Sequence, residues 1–299
     1  MKMKRVLAAV LALAMMAFFA ACSKTAPEEA AGTDAAKADT AILVVSFGTS
    51  YNDSREATIG AVEKAIADAN PQYEVRRAFT SQIIIDKLAE RDNIQIDNVT
   101  QALDRAVADG IKKLVVQPTH LMNGFEYNDL KAELAKYEGN FDQIVLGEPL
   151  LTSDEDYEAV IKAITDRTKD YDDGTTAIVF MGHGTEADSN AVYAKMQEKI
   201  TADGFANYYI GTVEATPSLD DVIAALEGKG YTRVVLEPLM VVAGDHANND
   251  MAGDEEDSWK SILTAKGYNV ECILEGLGQN AAVQAIYVQH VAAAVAQLK

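Results

Sequence analysis

The chain has 299 residues, 48% of them hydrophobic, enough for a sizeable core in one large or two moderate domains. Its 46 acidic residues against 26 basic ones leave a formal net charge of −20. That balance argues against nucleic acid as a partner, because phosphate binding needs a basic surface.

Residues 1–22 read as a targeting segment. Lys2, Lys4 and Arg5 precede an almost unbroken apolar run from Val6 to Ala20, and Ala20 and Ala21 stand just before Cys22. The run is short for a membrane-spanning helix and ends in a cleavage-like site. It resembles a bacterial lipoprotein signal with Cys22 as the lipidated residue. That implies a periplasmic protein whose membrane contact is a lipid anchor. Phe19 stands where such signals usually carry Leu, so ordinary secretory cleavage near Ala21 stays open. Residues 23–40, rich in Ala with Thr, Glu and Lys, read as a flexible tether. Cys272 is the second of two cysteines. With Cys22 acylated or removed no intrachain disulfide forms, and Cys272 is expected as a small buried apolar residue.

From Ala41 the chain alternates. A strand over 41–46 runs into a helix to Ala69, with Asp53 or Ser54 as its cap and Ile59, Val62 and Ile66 on one face. A strand over 73–79 precedes helices near 81–90 and 97–109. A strand over 112–117 stops at Pro118 and leads to the unusual loop His120–Asn128, then a helix to Tyr137. A strand over 141–146 and a helix over 153–168 complete a first lobe, residues 41–170. The second lobe, residues 171–299, repeats the order: strands over 176–181, 208–213, 233–237 and 268–274, with helices over 187–200, 218–229, up to 265, and 280–298. Such alternation predicts parallel sheets with helices on both faces.

The halves match in detail as well as in order. Val44–Thr49 lies over Phe180–Thr185 with Gly48 on Gly184, and Lys113–Pro118 lies over Arg233–Pro238. The second offset also sets Gly124 on Gly244. The fold is therefore read as α/β with two similar lobes from an internal duplication, and a cleft between them. The copies differ where chemistry would sit, with Phe47 opposite His183 and Glu126 opposite His246.

His183 lies between Gly182 and Gly184 at a strand end, where open α/β sheets keep their ligands. Glu214 follows the next strand, and His246 lies in the loop after Pro238. Two imidazoles and a carboxylate on one rim suit a first-row divalent cation. The spacing alone does not separate that reading from three unrelated loop residues. The chain carries neither a nucleophile elbow nor a Walker loop, and Gly182-His183-Gly184 lacks the third glycine of a dinucleotide site.

The duplicated halves, with Val44–Ser50, Gln117–Tyr127, Met181–Thr185, Val213–Pro217 and Pro238–Met251, resemble the anaerobic sirohydrochlorin cobaltochelatases. These are class II chelatases, the group that includes the protoporphyrin ferrochelatases. The resemblance covers residues 41–298. It implies a bilobal fold with a tetrapyrrole held between lobes, His183, Glu214 and His246 as metal ligands, and Glu126 as an acid reaching the cavity from the first lobe. On it rests the expectation of a chelatase that inserts Co²⁺ into sirohydrochlorin, with His183, His246 and Glu126 as the catalytic set. Histidine and carboxylate ligands would also accept Fe²⁺, Ni²⁺ or Zn²⁺. Phe47, Gly48, Met122, Phe125 and Met240 are expected around the macrocycle. His120 is read either as a satisfied loop histidine or as a haem ligand at a subunit interface of a homo-oligomer. His290 is read as surface or packing. Because tetrapyrrole assembly is expected in the cytoplasm, the competing reading is a periplasmic haem- or metal-binding protein for uptake or delivery. Fe²⁺ insertion into sirohydrochlorin is the third.

Overall fold

A computed structural model describes residues 39–299. The signal segment with Cys22 and the expected tether up to residue 38 lie outside the described residues. Strands β1 (Thr40–Ser46), β2 (Glu74–Phe79), β3 (Lys113–Pro118) and β4 (Gln143–Leu146) form a parallel sheet in the order β2-β1-β3-β4. Strands β5 (Thr176–Gly182), β6 (Tyr208–Thr212), β7 (Arg233–Pro238) and β8 (Asn269–Cys272) form a second in the order β6-β5-β7-β8. The register repeats with the order. Thr40 pairs Lys113 and Val45 pairs Pro118 in the first sheet; Thr176 pairs Arg233 and Met181 pairs Pro238 in the second. The internal duplication read from the sequence is thus repeated in the hydrogen-bond ladder.

The first lobe's helices are α1 (Asn52–Arg55), continued through a π-helical stretch Glu56–Gly60 into α2 (Ala61–Ala69), then α3 (Gln82–Asp92), α4 (Val99–Ala108) and α5 (Phe125–Ala135). Helix α6 (Asp154–Thr168) leads into the second half, which adds α7 (Ala191–Ala202), α8 (Leu219–Leu226), α9 (Trp259–Ala265) and α10 (Ala281–Val295). Polar caps account for several starts. Asn98, Ser153 and Ser218 each accept a backbone N–H three residues on and complete a capping box. Among the described residues no helix is long and apolar enough to cross a membrane.

Strand residues alternate between two faces, and each face meets its own partners. Leu43, Val45 and Val116 pack outward with Leu103 and Leu130. Val179, Met181 and Leu236 do the same with Val222, Trp259 and Leu263. The inner faces share a single core, in which Ile42 and Val44 of one sheet and Ile178 and Phe180 of the other join residues of α2, α6, α7 and α10. Truncating a core ring such as Phe180 to Ala would cost about 3–5 kcal/mol. Helix α10, last in the chain, lies on α2, α6 and β3, so the second half closes its own core on the first lobe.

Three local expectations are corrected. Neither Asp53 nor Ser54 caps the first helix: it starts at Asn52 behind Tyr51, which gives no side-chain cap, and the Ser54 hydroxyl is engaged elsewhere. The loop His120–Asn128 is shorter than expected, because Gly124 takes an extended conformation and α5 begins at Phe125, with Glu126 in the favourable first turn. Cys272 is a free thiol only partly buried, because β8 is an edge strand packed by Cys272 on one side of the second core.

Candidate metal centre

The second sheet places β5 between β6 and β7. The chain leaves β5 for one neighbour and then crosses to the other, and such a reversal opens a crevice at the strands' carboxyl ends. His183 follows β5 directly. The β5–β6 ladder continues past both strands: Val213 N–H donates to Gly182 O at 3.0 Å and Glu214 N–H to His183 O at 2.9 Å. That bond sets Glu214 beside His183, with Glu214 Oε2 3.6 Å from His183 Nδ1.

The glycines flanking His183 are dictated by packing. A Cβ on Gly182 would stand 2.2 Å from the ring of Tyr193, which is itself buried and accepts the Gly184 N–H through its hydroxyl. Gly184 has φ +86°, and a Cβ there would meet Ala215 N at 2.8 Å. The turn that aims His183 therefore admits no side chain at either position. Asn190 fastens it further, accepting from Thr185 N–H at 3.1 Å and donating to Thr216 O at 2.7 Å, so one side chain ties the His183 turn to the Glu214 turn.

His246 arrives from β7 through residues 239–245. It begins a π-helical turn, Ala247–Met251, a geometry often found at functional sites. Its imidazole meets that of His183 edge to face. One nitrogen from each ring and one oxygen of Glu214 all lie within 4.8 Å of one another, and among the described residues these three form the one such group of potential ligands.

The tautomers follow from the acceptors. His183 Nδ1 stands 2.7 Å from Gly184 O, a carbonyl that can only accept, so Nδ1 carries the proton. His246 Nδ1 stands 2.8 Å from the Asp250 carboxylate and donates to it. Each ring is left with a lone pair on Nε2. A carboxylate behind a histidine is the usual support of a metal-ligating imidazole, fixing its tautomer and raising its basicity. Asp250 was missed in reading the sequence, although the signal was present: His and Asp four apart share a helical face.

The remaining expected residues divide. Phe47 and Phe125 are exposed rings, 49% and 58% accessible, at the ends of β1 and the start of α5. Gly48 has φ +101° and abuts the Phe79 ring, so a Cβ there would lie 2.6 Å from it. Met122 packs on the shared core and Met240 on the second-lobe core, each partly buried. Glu126 is exposed in the first turn of α5 and is not in the three-residue cluster. His120 lies close enough to feel its charge, but burial dominates and pushes the imidazole down to about 4. Both ring nitrogens of His120 are buried without a hydrogen-bond partner. His290 bridges α10 to the first half, with Nε2 2.9 Å from Asp156 Oδ1 and Nδ1 3.1 Å from Glu148 O.

Residues 40–296 match the family model described as cobalt chelatase (CbiK). A sirohydrochlorin cobaltochelatase of Salmonella typhimurium is 42% identical over 250 residues, which cover 84% of this chain and 94% of that protein. Sirohydrochlorin cobaltochelatase CbiKC of Nitratidesulfovibrio vulgaris is 32% identical over 259 residues, 86% of this chain and 91% of that one. Among solved structures, SirB from Bacillus subtilis with Fe³⁺ superposes with a TM-score of 0.60 at 15% identity, covering 86% of this chain and 96% of that one. CbiX, described as the terminal enzyme of sirohaem biosynthesis in denitrifying bacteria, superposes with a TM-score of 0.52 at 17% identity, covering 85% and 99%. At those identities the two structures speak for the fold alone.

Proposed function

The chain belongs to the cobalt chelatase (CbiK) family, and from that premise we propose that it inserts Co²⁺ into sirohydrochlorin, with His183, Glu214 and His246 as the residues that hold the ion. The observation that carries the reading is the convergence of these three side chains from adjacent strand ends, with each imidazole held at Nδ1 by its own acceptor.

Insertion exchanges one Co²⁺ for two pyrrole protons. The cation must be held firmly enough to shed water and loosely enough to leave. Two neutral imidazoles and one carboxylate leave coordination positions open for the incoming ring nitrogens. As Co²⁺ passes to the macrocycle, each histidine regains the lone pair it had lent. A neutral imidazole released from the ion can then accept a proton. Glu126, at the rim of the first lobe, is the group proposed to carry protons out. The exposed rings Phe47 and Phe125 supply apolar walls for the macrocycle, with Met122, Met240 and the Gly48 turn behind them.

The test follows sirohydrochlorin absorbance with Co²⁺ and purified protein under anaerobic conditions. The expected result is a metal-dependent spectral change faster than the uncatalysed one. A rate equal to the uncatalysed one, with the protein folded, sinks the proposal. Fe²⁺, Ni²⁺ and Zn²⁺ belong in the same assay, because the ligand set accepts them.

We place the protein in the periplasm, anchored through a lipid on Cys22. The support is the basic, apolar and small-residue order of residues 1–22. Cys22→Ala should move it from the membrane to the soluble fraction. A haem-binding role in a homo-oligomer has one observation on its side: the two unpartnered nitrogens of His120. A haem absorbance band in the purified protein, lost in His120→Ala, is the result that role requires.

A further inference from the structure

We propose that Ser54 is a positioning residue for His246, holding the His246 loop to the first lobe so that the ligand triad is assembled across two separately anchored parts of the molecule. The inference rests on the assignment of His183, Glu214 and His246 as the metal-holding set.

His183 and Glu214 are fastened to each other. A backbone hydrogen bond joins them directly, and Asn190 clips their two turns together. The His246 loop is fastened differently. Asn248 closes it on itself, donating to Gly244 O at 2.7 Å and to Ala243 O at 3.3 Å. The closed loop is then bonded to the first lobe, where Ala243 N–H donates to Ser54 Oγ at 3.1 Å. Val242, next to it, packs among Ile59, Phe79, Ile85 and Leu88 of the first lobe. On its other side the loop meets the turn at Gly276–Gly278, where Leu277 N–H donates to Met240 O and Gly278 N–H to Val241 O. A Cβ on Gly276 would stand 2.4 Å from Val241 O, so that side is closed.

A cavity of about 360 Å³, lined in part by Tyr51, Ser54, Ala243 and Asn248, adjoins the bond. Ala243 itself is buried in the second-lobe core, and a Cβ on Gly276 would also stand 2.8 Å from its nitrogen, so the Ser54 hydroxyl is the acceptor of an enclosed amide that would otherwise lose its bond. Ser54 is itself held, since its carbonyl accepts the Thr58 hydroxyl within the π-helical stretch.

The experiment compares the full-length wild type with Ser54→Ala and Ser54→Thr. Amide hydrogen exchange without metal is read first, because it does not depend on the metal assignment. In Ser54→Ala, exchange should quicken over residues 240–250 and stay unchanged over 178–186 and 208–214. Ser54→Thr, which keeps an acceptor oxygen, should restore protection. Co²⁺ affinity and the visible spectrum of bound Co²⁺ are read second. Ser54→Ala should bind about fivefold more weakly, with a shifted spectrum at saturation, and Ser54→Thr should resemble the wild type. Unchanged exchange over 240–250 overturns the proposal, as do wild-type affinity and spectrum in Ser54→Ala. A wild type that binds no Co²⁺ at this triad overturns the metal assignment and with it this proposal; wild-type Co²⁺ binding with an unaffected loop overturns the proposal alone.

Discussion

The imidazoles of His183 and His246 meet edge to face, with centroids 4.6 Å apart and ring planes at 90°. The loops that carry them come from strands on either side of a crossover, so the approach is a product of the sheet and not of chain proximity. Edge-to-face rings present their nitrogens in different directions and leave room between them for a shared cation and a third ligand.

Replacing either His183 or His246 by Ala should therefore abolish metal insertion while leaving the fold intact, since both rings sit at the rim and neither belongs to the core clusters. The loss should exceed the roughly 10–100-fold typical of removing an outer partner of a metal ligand. Initial rates of Co²⁺ insertion, with far-ultraviolet circular dichroism as the folding control, decide it. Full rate in either variant would show the triad to be misassigned.

Asp250 supports His246 without belonging to the ligand cluster. Asp250→Ala frees the Nδ1 proton of His246 and lets the ring turn and change tautomer. Co²⁺ affinity should fall about 10–100-fold, while thermal stability changes little because the pair is partly exposed and lies within one turn. Titration of the apo protein with Co²⁺ measures it.

Glu237 offers a pH test of the fold itself. It is buried at the end of β7, where Arg167 Nε donates to Oε1 at 2.8 Å and Oε2 has no partner. Burial pushes its carboxyl up from 4.5 to about 7, against the opposing pull of Arg167. In this window the folded state holds a proton that the unfolded chain has released, so stability falls as pH rises. The contribution is fully present below about 4.5 and lost by about 7, at most about 3 kcal/mol. The first lobe shows the neutral alternative, because the matching position carries Gln117, equally buried. Glu237→Gln should flatten the dependence of melting temperature on pH between 5 and 8. Parallel pH profiles for variant and wild type would refute the assignment.

His290 separates structural from chemical histidines. Its bond to Asp156 ties α10 to α6, and both side chains are mostly shielded. Burial works against ionised Asp156, but the Ser153 amide and hydroxyl and His290 together hold its carboxyl below the usual range. His290→Ala should lower unfolding stability by about 1–2 kcal/mol in denaturant titrations and leave the insertion rate per folded molecule unchanged.

Much of this protein is legible in its residues one stretch at a time. Apolar β-branched runs ending in glycine or proline mark the buried parallel strands, because a strand covered on both faces has no polar side to show. The match of Val44–Thr49 with Phe180–Thr185, and of Lys113–Pro118 with Arg233–Pro238, discloses the duplication. His183, Glu214 and His246 could be placed on one rim, because parallel strands deliver their ends to the same edge. The spacing of His246 and Asp250 was a local signal, but the sequence could not say that Asn190 clips two turns, or that Ser54 serves another lobe's loop instead of capping its own helix. Periodicity records only which face is buried. A hydroxyl or amide reads the same whatever it bonds to, and its partner is chosen by how turns within a lobe, and the lobes themselves, pack. The tertiary structure decided those partners, and with them which of four histidines can act together.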